Sequence, residues 1–305
     1  MPSGQIAFSF FLLLFSSGGA FVPFHKATSS SLFSATQEAP FNVVSPSRAN
    51  ELTHSIGEAL WKMKVLQEDP GFLPTRPQSL QKLFQKCKDS VHVARSSITS
   101  AGDGLFASRC ISAGEIFSFY PVHTLGVNFR DGTTYLHGHD NYEDSVYVMS
   151  LIGNRPILGL DLENDWNAMG FVDADPQKRV EASWQCHKIN DGACITSNTN
   201  DGHLQYYAKA LDTQNAVFLP FGPAPIVVAV ATRDIPRGDE IFTCYGKAYW
   251  MGVVEPDRDL WVPPNEETIA VEQKIGKALS EVTEHIESEY ASEAKALFEA
   301  FHDIA

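Results

Sequence analysis

The 305-residue chain carries 37 Asp and Glu against 23 Lys and Arg, a formal net charge of −14, with 44% hydrophobic and 20% charged residues. That is enough chain for one large domain or two small ones with a real core. It is too acidic to grip phosphate backbones, so direct nucleic-acid binding is set aside, whereas a basic protein tail is a better electrostatic match.

Taken in chain order, residues 6–15 read IAFSFFLLLF, followed by the small residues of Ser16 to Ala20. The run is too short to span a bilayer comfortably and fits the apolar core of a signal peptide. Phe21-Val22-Pro23-Phe24 then leads into HKATSSSLFSATQ, rich in Ser and Thr and without an acid before Glu38. A signal peptide joined to such a segment resembles the bipartite plastid-targeting leader of diatoms and related algae. Residues 1–40 are therefore expected to be a leader, removed or disordered and outside the fold, with a plastid destination. Nucleus or cytoplasm is the alternative, and no stable membrane span is expected once the leader is gone.

Residues 41–90 read as a linker and helices. From Ala49, Leu52, Ile56, Leu60, Met63 and Leu66 recur at helical spacing. Asp69-Pro70-Gly71 should stop that helix, Pro74 and Pro77 mark a loop, and a second short helix is expected over 79–87. At Val91 short strand-like runs take over, punctuated by Gly and Pro: 91–94, 105–107, 116–120, 146–152, 157–160, 216–219, 226–231 and 241–245. The reading is mostly β, without the strand–helix alternation of a dinucleotide-binding sheet. Ile111-Ser-Ala-Gly-Glu-Ile-Phe117 is echoed by Ile235-Pro-Arg-Gly-Asp-Glu-Ile-Phe242, two similar turns each feeding a strand.

After Pro263 the pattern is helical again. Ile275, Leu279, Val282, Ile286, Tyr290, Leu297 and Phe301 form an apolar stripe, which either packs back on the domain or joins two chains as a homodimer seam. Residues 264–305 hold ten acids against three lysines. They present either a solvated helix face or a docking surface for a basic partner.

The five cysteines are odd in number and scattered, without a CxxC pair, which argues against a disulfide framework. Cys186, His187 and Cys194 lack the paired spacing of a zinc site, and no metal is expected. There is also no P-loop, no GxGxxG after a strand, no GxSxG elbow and no HExxH. What remains is three stretches: Gly102-Asp103-Gly104 before Leu-Phe-Ala, Asn190-Asp191-Gly192, and Glu240 through Cys244-Tyr245-Gly246, followed by Tyr249 and Trp250. Each alone reads first as a turn.

In that order and spacing, together with the two I-x-x-G-(D)-E turns, the stretches resemble the SET domain over residues 91–250. The resemblance implies small β-sheets around a knot-like crossing, with flanking N-terminal and C-terminal helices. It also implies methyl transfer from S-adenosylmethionine to the ε-amine of a lysine in a protein or peptide. By motif, Gly102, Asp103 and Gly104 would lie along the cofactor, Asn190 and Asp191 would meet its amino-acid end, and Tyr245 would be the catalytic tyrosine, adjoining the cofactor as well. Tyr120 would line the lysine channel.

The chain departs from the family in three residues and two segments. Asp191 stands where His is usual, Asp103 sits between the glycines, and Cys244 precedes the tyrosine. The Cys-rich segments common on either side of the domain are absent, so Tyr249, Trp250 or the terminal helices are expected to close the site. A SET-like scaffold that binds a peptide or cofactor without turnover is the alternative to an enzyme, with a secreted structural protein behind it.

Overall fold

The computed structural model describes residues 9–11, 45–68, 78–99, 101–129, 133–138, 147–151, 156–162, 165–166, 168–254 and 262–304. The helix stop at Asp69-Pro70-Gly71 and the loop prolines Pro74 and Pro77 lie outside them, as does most of the leader. Two helices open the fold, α1 (Pro46–Glu68) and α2 (Gln78–Ser90). The expected stripe of α1 is buried from Leu52 to Leu66, and each such side chain contributes about 1.5–3 kcal/mol by leaving water. Near the end of α1, Gln67 clasps one residue from both sides. Val122 N–H donates to its Oε1 at 2.6 Å, and its Nε2 donates to the Val122 carbonyl at 3.0 Å. Phe84 of α2 stacks on Phe119 at 4.8 Å.

Four small sheets follow. β2 (Val91–Arg95) and β3 (Asp103–Ala107) form an antiparallel hairpin. β4 (Ile116–Phe119), β10 (Ala216–Pro220) and β11 (Val227–Ala231) make a three-stranded sheet in the order β10-β11-β4. β5 (Thr124–Phe129), β6 (Thr134–His137), β7 (Val148–Leu151) and β8 (Ala168–Asp173) form the body of a larger sheet. The fourth is a two-residue parallel pair, β9 (Asn190–Asp191) with β12 (Phe242–Thr243). α3 (Asn200–Thr213) and α4 (Lys247–Val254) flank it. The mostly β reading with helices at both ends holds.

Several expectations change in detail. Of the residues read as a leader, Ser9–Phe11 form β1, which pairs in parallel with Val148–Ser150 at the edge of the larger sheet. An apolar run in extended form is what an open sheet edge recruits. Residues 157–160 are a turn bridged between Ile157 and Leu160 rather than a strand. β5, β6 and β8 were not anticipated, because β5 is buried nearly throughout and shows no alternation. The helix α3 was also missed. Its opening Asn-Asp-Gly reads as a turn, but Thr199 caps it by accepting from Gly202 N–H at 3.0 Å.

The echoed turns meet. Ile111 and Ile235 exchange main-chain hydrogen bonds at 2.9 and 2.8 Å, and Gly114 and Gly238 take the left-handed conformation, with φ of 79° and 91°, that each turn requires. The C-terminal stripe lies on α5 (Glu266–Glu289) and α6 (Ala291–Asp303). Ile286, Leu297 and Phe301 are buried in the chain's own core, with Leu279, Val282 and Tyr290 packed against it, and α6 lies on α1 and α2. The stripe therefore packs back on the domain. Among the described residues no helix is long and apolar enough to cross a membrane, and no group of three or more metal-ligating side chains comes together. All five cysteines are free thiols.

Candidate functional site

The parallel pairing of β9 with β12 sets Phe242 beside Asn190 and Thr243 beside Asp191, and so brings the second and third motifs together. The first motif joins through the hairpin. Ile241 N–H donates to the Leu105 carbonyl at 2.8 Å, and the Asn190 side-chain amide donates to the Asp103 carbonyl at 3.0 Å. Three stretches far apart in sequence thus converge on one point.

Gly102 takes φ +81°, and a Cβ built on it would meet nothing within 4 Å, so its backbone borders open space. Gly104 is different. A Cβ there would overlap the Glu240 carboxylate and come within 3.3 Å of the Asn190 amide nitrogen. Only glycine lets the strand pass so close. Asp103 between them is 57% exposed, with its carboxylate 4.0 Å from the Lys188 ammonium. That ammonium also lies 5.6 Å from the centre of the Tyr147 ring. Burial lowers the Lys188 pKa, with Asp103 pulling the other way.

Glu240 was quoted in its motif without a role. Its buried carboxylate accepts from Ser96 Oγ at 2.6 Å, from Ser97 N–H at 2.7 Å and from Ser97 Oγ at 2.5 Å, with the Asn190 amide at 3.5 Å. It fastens the turn between β2 and β3 to the Asn motif. The sequence signal for it was a Ser pair ahead of the glycine turn, which has no meaning until its acceptor is known.

Asp191 was expected at the cofactor's amino-acid end. Its carboxylate is instead occupied within the protein. One oxygen accepts from Ala193 N–H at 3.0 Å; the other accepts from Tyr206 OH at 2.7 Å, Tyr245 N–H at 2.9 Å and Trp250 Nε1 at 3.0 Å. Burial raises its pKa, and these donors offset the rise only in part.

Tyr245 is buried, and its hydroxyl donates to the Ile189 carbonyl at 2.7 Å. Its ring packs edge-on to Tyr249 at 4.8 Å and stacks with Trp250 at 6.3 Å; Tyr249 and Trp250 meet at 4.9 Å. Gly246, at φ +84°, turns the chain from β12 into α4 and so places both aromatics beside Tyr245. Helix α5 is tied to the same corner, since Glu272 pairs with Lys247 Nζ at 2.8 Å and accepts from Tyr207 OH at 3.0 Å.

Tyr120, expected along a lysine channel, has no exposed surface. Its hydroxyl donates to the Tyr147 carbonyl at 2.5 Å, so it supports Tyr147 from behind. Tyr147, which had been placed only within a strand, carries the more open ring. His187 packs edge-on to both tyrosines, at 6.5 and 5.8 Å, and burial, then Lys188 and His123, keep it neutral. Tyr245 is pushed well above the usual phenol range by burial, then by Tyr249, Asp191 and Tyr147. Tyr147 and Tyr249 are raised as well, in both cases first by burial. The phenols of Tyr147, Tyr245 and Tyr249 therefore stay uncharged at neutral pH.

Residues 102–246 match the SET domain family. The small sheets and the parallel crossing of β9 and β12 form a SET-type fold. Similar solved structures include a Plasmodium falciparum protein described as a candidate histone methyltransferase, 13% identical, with 53% of this chain and 97% of that one covered at a TM-score of 0.23. They also include the SET domain of the RIZ1 tumor suppressor, 14% identical, with 67% of this chain and 95% of that one covered at a TM-score of 0.28. At such identities and scores the likeness speaks to neither substrate nor site residues. Among curated proteins no match is found.

Proposed function

We propose that this protein transfers a methyl group from S-adenosylmethionine to the ε-amine of a lysine in a protein or peptide. The reading rests on one observation: the glycine turn, the Asn motif and the Tyr-Gly strand end meet at one point, with Asn190 bonded to the Asp103 carbonyl and Tyr245 to the Ile189 carbonyl. The open backbone at Gly102 fits a cofactor laid along the turn. Gly102, Asp103 and Gly104 would border it, with Asn190 and Tyr245 beside it, while Asp191 acts from behind. When bound, the cofactor supplies a methyl group on a sulfonium.

The chain's own residues do the rest. Only about one lysine in a thousand is neutral near pH 7, and the raised phenols leave no base in the aromatic wall. Loss of the lysine proton is therefore favoured by desolvation within that wall rather than by transfer to Tyr245. The Tyr245 hydroxyl and the carbonyls near it orient the amine without becoming charged. After transfer, the rings of Tyr147, Tyr249 and Trp250 would favour the methylated ammonium product.

The leader supports a plastid protein as the substrate, because its sequence has the composition of a two-part plastid address. A fluorescent fusion to residues 1–45 should enter plastids in an alga with secondary plastids, and nuclear fluorescence of the full-length fusion would overturn that destination. For the activity, the protein with labelled S-adenosylmethionine and a plastid extract should label protein, and Tyr245→Phe should label far less. If the native protein labels nothing, a non-catalytic binding module takes its place.

A further inference from the structure

The end of β12 is held by something other than the sheet. Two consecutive main-chain amides, those of Tyr245 and Gly246, end on two side chains. Tyr245 N–H donates to Asp191 at 2.9 Å, and Gly246 N–H donates to the Tyr206 hydroxyl at 2.8 Å. Those side chains are bonded to each other, because the Tyr206 hydroxyl donates to the same Asp191 oxygen at 2.7 Å. The hydroxyl also lies 3.3 Å from Cys244 Sγ, so it touches the residue before the tyrosine as well as the one after. Asp191 and Tyr206 are 5% and 2% exposed, so water does not compete for these bonds.

Resting on the function proposed above, we infer that Asp191 and Tyr206 are positioning residues for Tyr245. They fix the backbone on both sides of a ring whose hydroxyl must stay on the Ile189 carbonyl. The need is local. Gly246 is the hinge into α4, and a glycine there gives the strand end rotational freedom that the two-residue pairing with β9 does not remove. The clamp removes it. Asp191 is acceptor-only when ionised, and α3 supplies the hydroxyl that completes the pair.

The decisive variant is Tyr206→Phe, which removes one oxygen and keeps the ring. The turnover number should fall about tenfold while KM for cofactor and peptide stays within about twofold, because binding surfaces are untouched and only the aim of Tyr245 changes. Hydrogen exchange at the Tyr245 and Gly246 amides should quicken at least about tenfold. Asp191→Asn should lower turnover in the same sense, and the double variant should fall short of the product of the two effects. Lys209→Ala on the same helix, where the side chain is exposed, should keep native turnover. Unchanged turnover in Tyr206→Phe, a loss confined to KM, or an equal loss in Lys209→Ala would overturn the clamp. If the native protein transfers no methyl group, the proposed activity falls, and the exchange measurement still decides the clamp: unchanged protection of both amides in Tyr206→Phe refutes it.

Discussion

The Asn190 side-chain amide donates to the Asp103 main-chain carbonyl at 3.0 Å, across 87 residues of sequence. This bond sets the distance between the glycine turn and the crossing of β9 with β12. Together with the Ile241–Leu105 main-chain bond and the Glu240 grip on Ser96 and Ser97, it ties the glycine turn to the strand that leads to Tyr245.

Asn190→Ala breaks that coupling. The Asp103 carbonyl loses its donor and the Glu240 carboxylate loses a neighbour, at a cost of about 1–2 kcal/mol in stability. Calorimetry should find S-adenosylmethionine bound about tenfold more weakly, the equivalent of about 1.4 kcal/mol. An unchanged affinity would mean that the turn's position does not govern binding.

The two glycines of the turn should respond differently to alanine. At Gly104 the added Cβ meets a carboxylate that cannot swing aside, because Ser96 and Ser97 hold it. A cost of about 1–3 kcal/mol is expected, read as a fall in Tm of roughly 2–4 °C per kcal/mol. At Gly102 the space is open and the penalty is conformational, about 1–2 kcal/mol for a side chain at φ +81°. Glu240→Ala should therefore recover part of the Gly104→Ala loss and none of the Gly102→Ala loss.

Turnover should rise with pH through the weakly alkaline range. The substrate amine becomes neutral as pH increases, while burial and neighbouring groups hold the Tyr245 phenol well above its ordinary 10.0, so its ionisation does not cut the rate in that window. Initial rates between about pH 7 and 9.5 should climb without a descending limb from this residue. A limb that disappears in Tyr245→Phe would show the phenol titrating within the window.

Glu115, the acid of the first echoed turn, bonds to Arg109 and lies 3.3 Å from the Lys86 ammonium. Burial alone would raise its pKa. The Arg109 hydrogen bond and the Lys86 charge outweigh burial and hold it below its ordinary 4.5. A carboxyl depressed in the folded state contributes stability that is present above its unfolded value and lost as pH falls through the depressed one. Native protein should therefore lose stability on acidification below about 4.5 more steeply than Glu115→Gln does. Parallel slopes in denaturant titrations would sink the assignment.

Much of this architecture could be read from the residues, and the reasons for the rest are physical. The stripe from Leu52 to Leu66 announced α1, and the family resemblance that the three motifs carry implied that the Tyr-Gly strand would run beside the Asn motif, as β12 does beside β9. β5 and β8 were not legible because strands packed on both faces lose the alternation that betrays a strand. Tyr206 could not be recognised because its importance lies in one hydroxyl whose partners, Asp191 and Gly246, stand 15 and 40 residues away. The burial of the Asp191 carboxylate was not legible, because a buried aspartate and an exposed one are spelled alike. Only the count of its donors separates them.

The packing of α6 on α1 and α2 has a consequence for how the chain comes into being. Helices α1 and α2 are covered by α6, more than 190 residues later in sequence, and β9 waits for β12, some fifty residues later, before its pairing exists. Closing such loops is entropically slow. The pairing of β9 with β12 and the packing of α6 on α1 and α2 therefore form late, only after segments far apart in sequence have met.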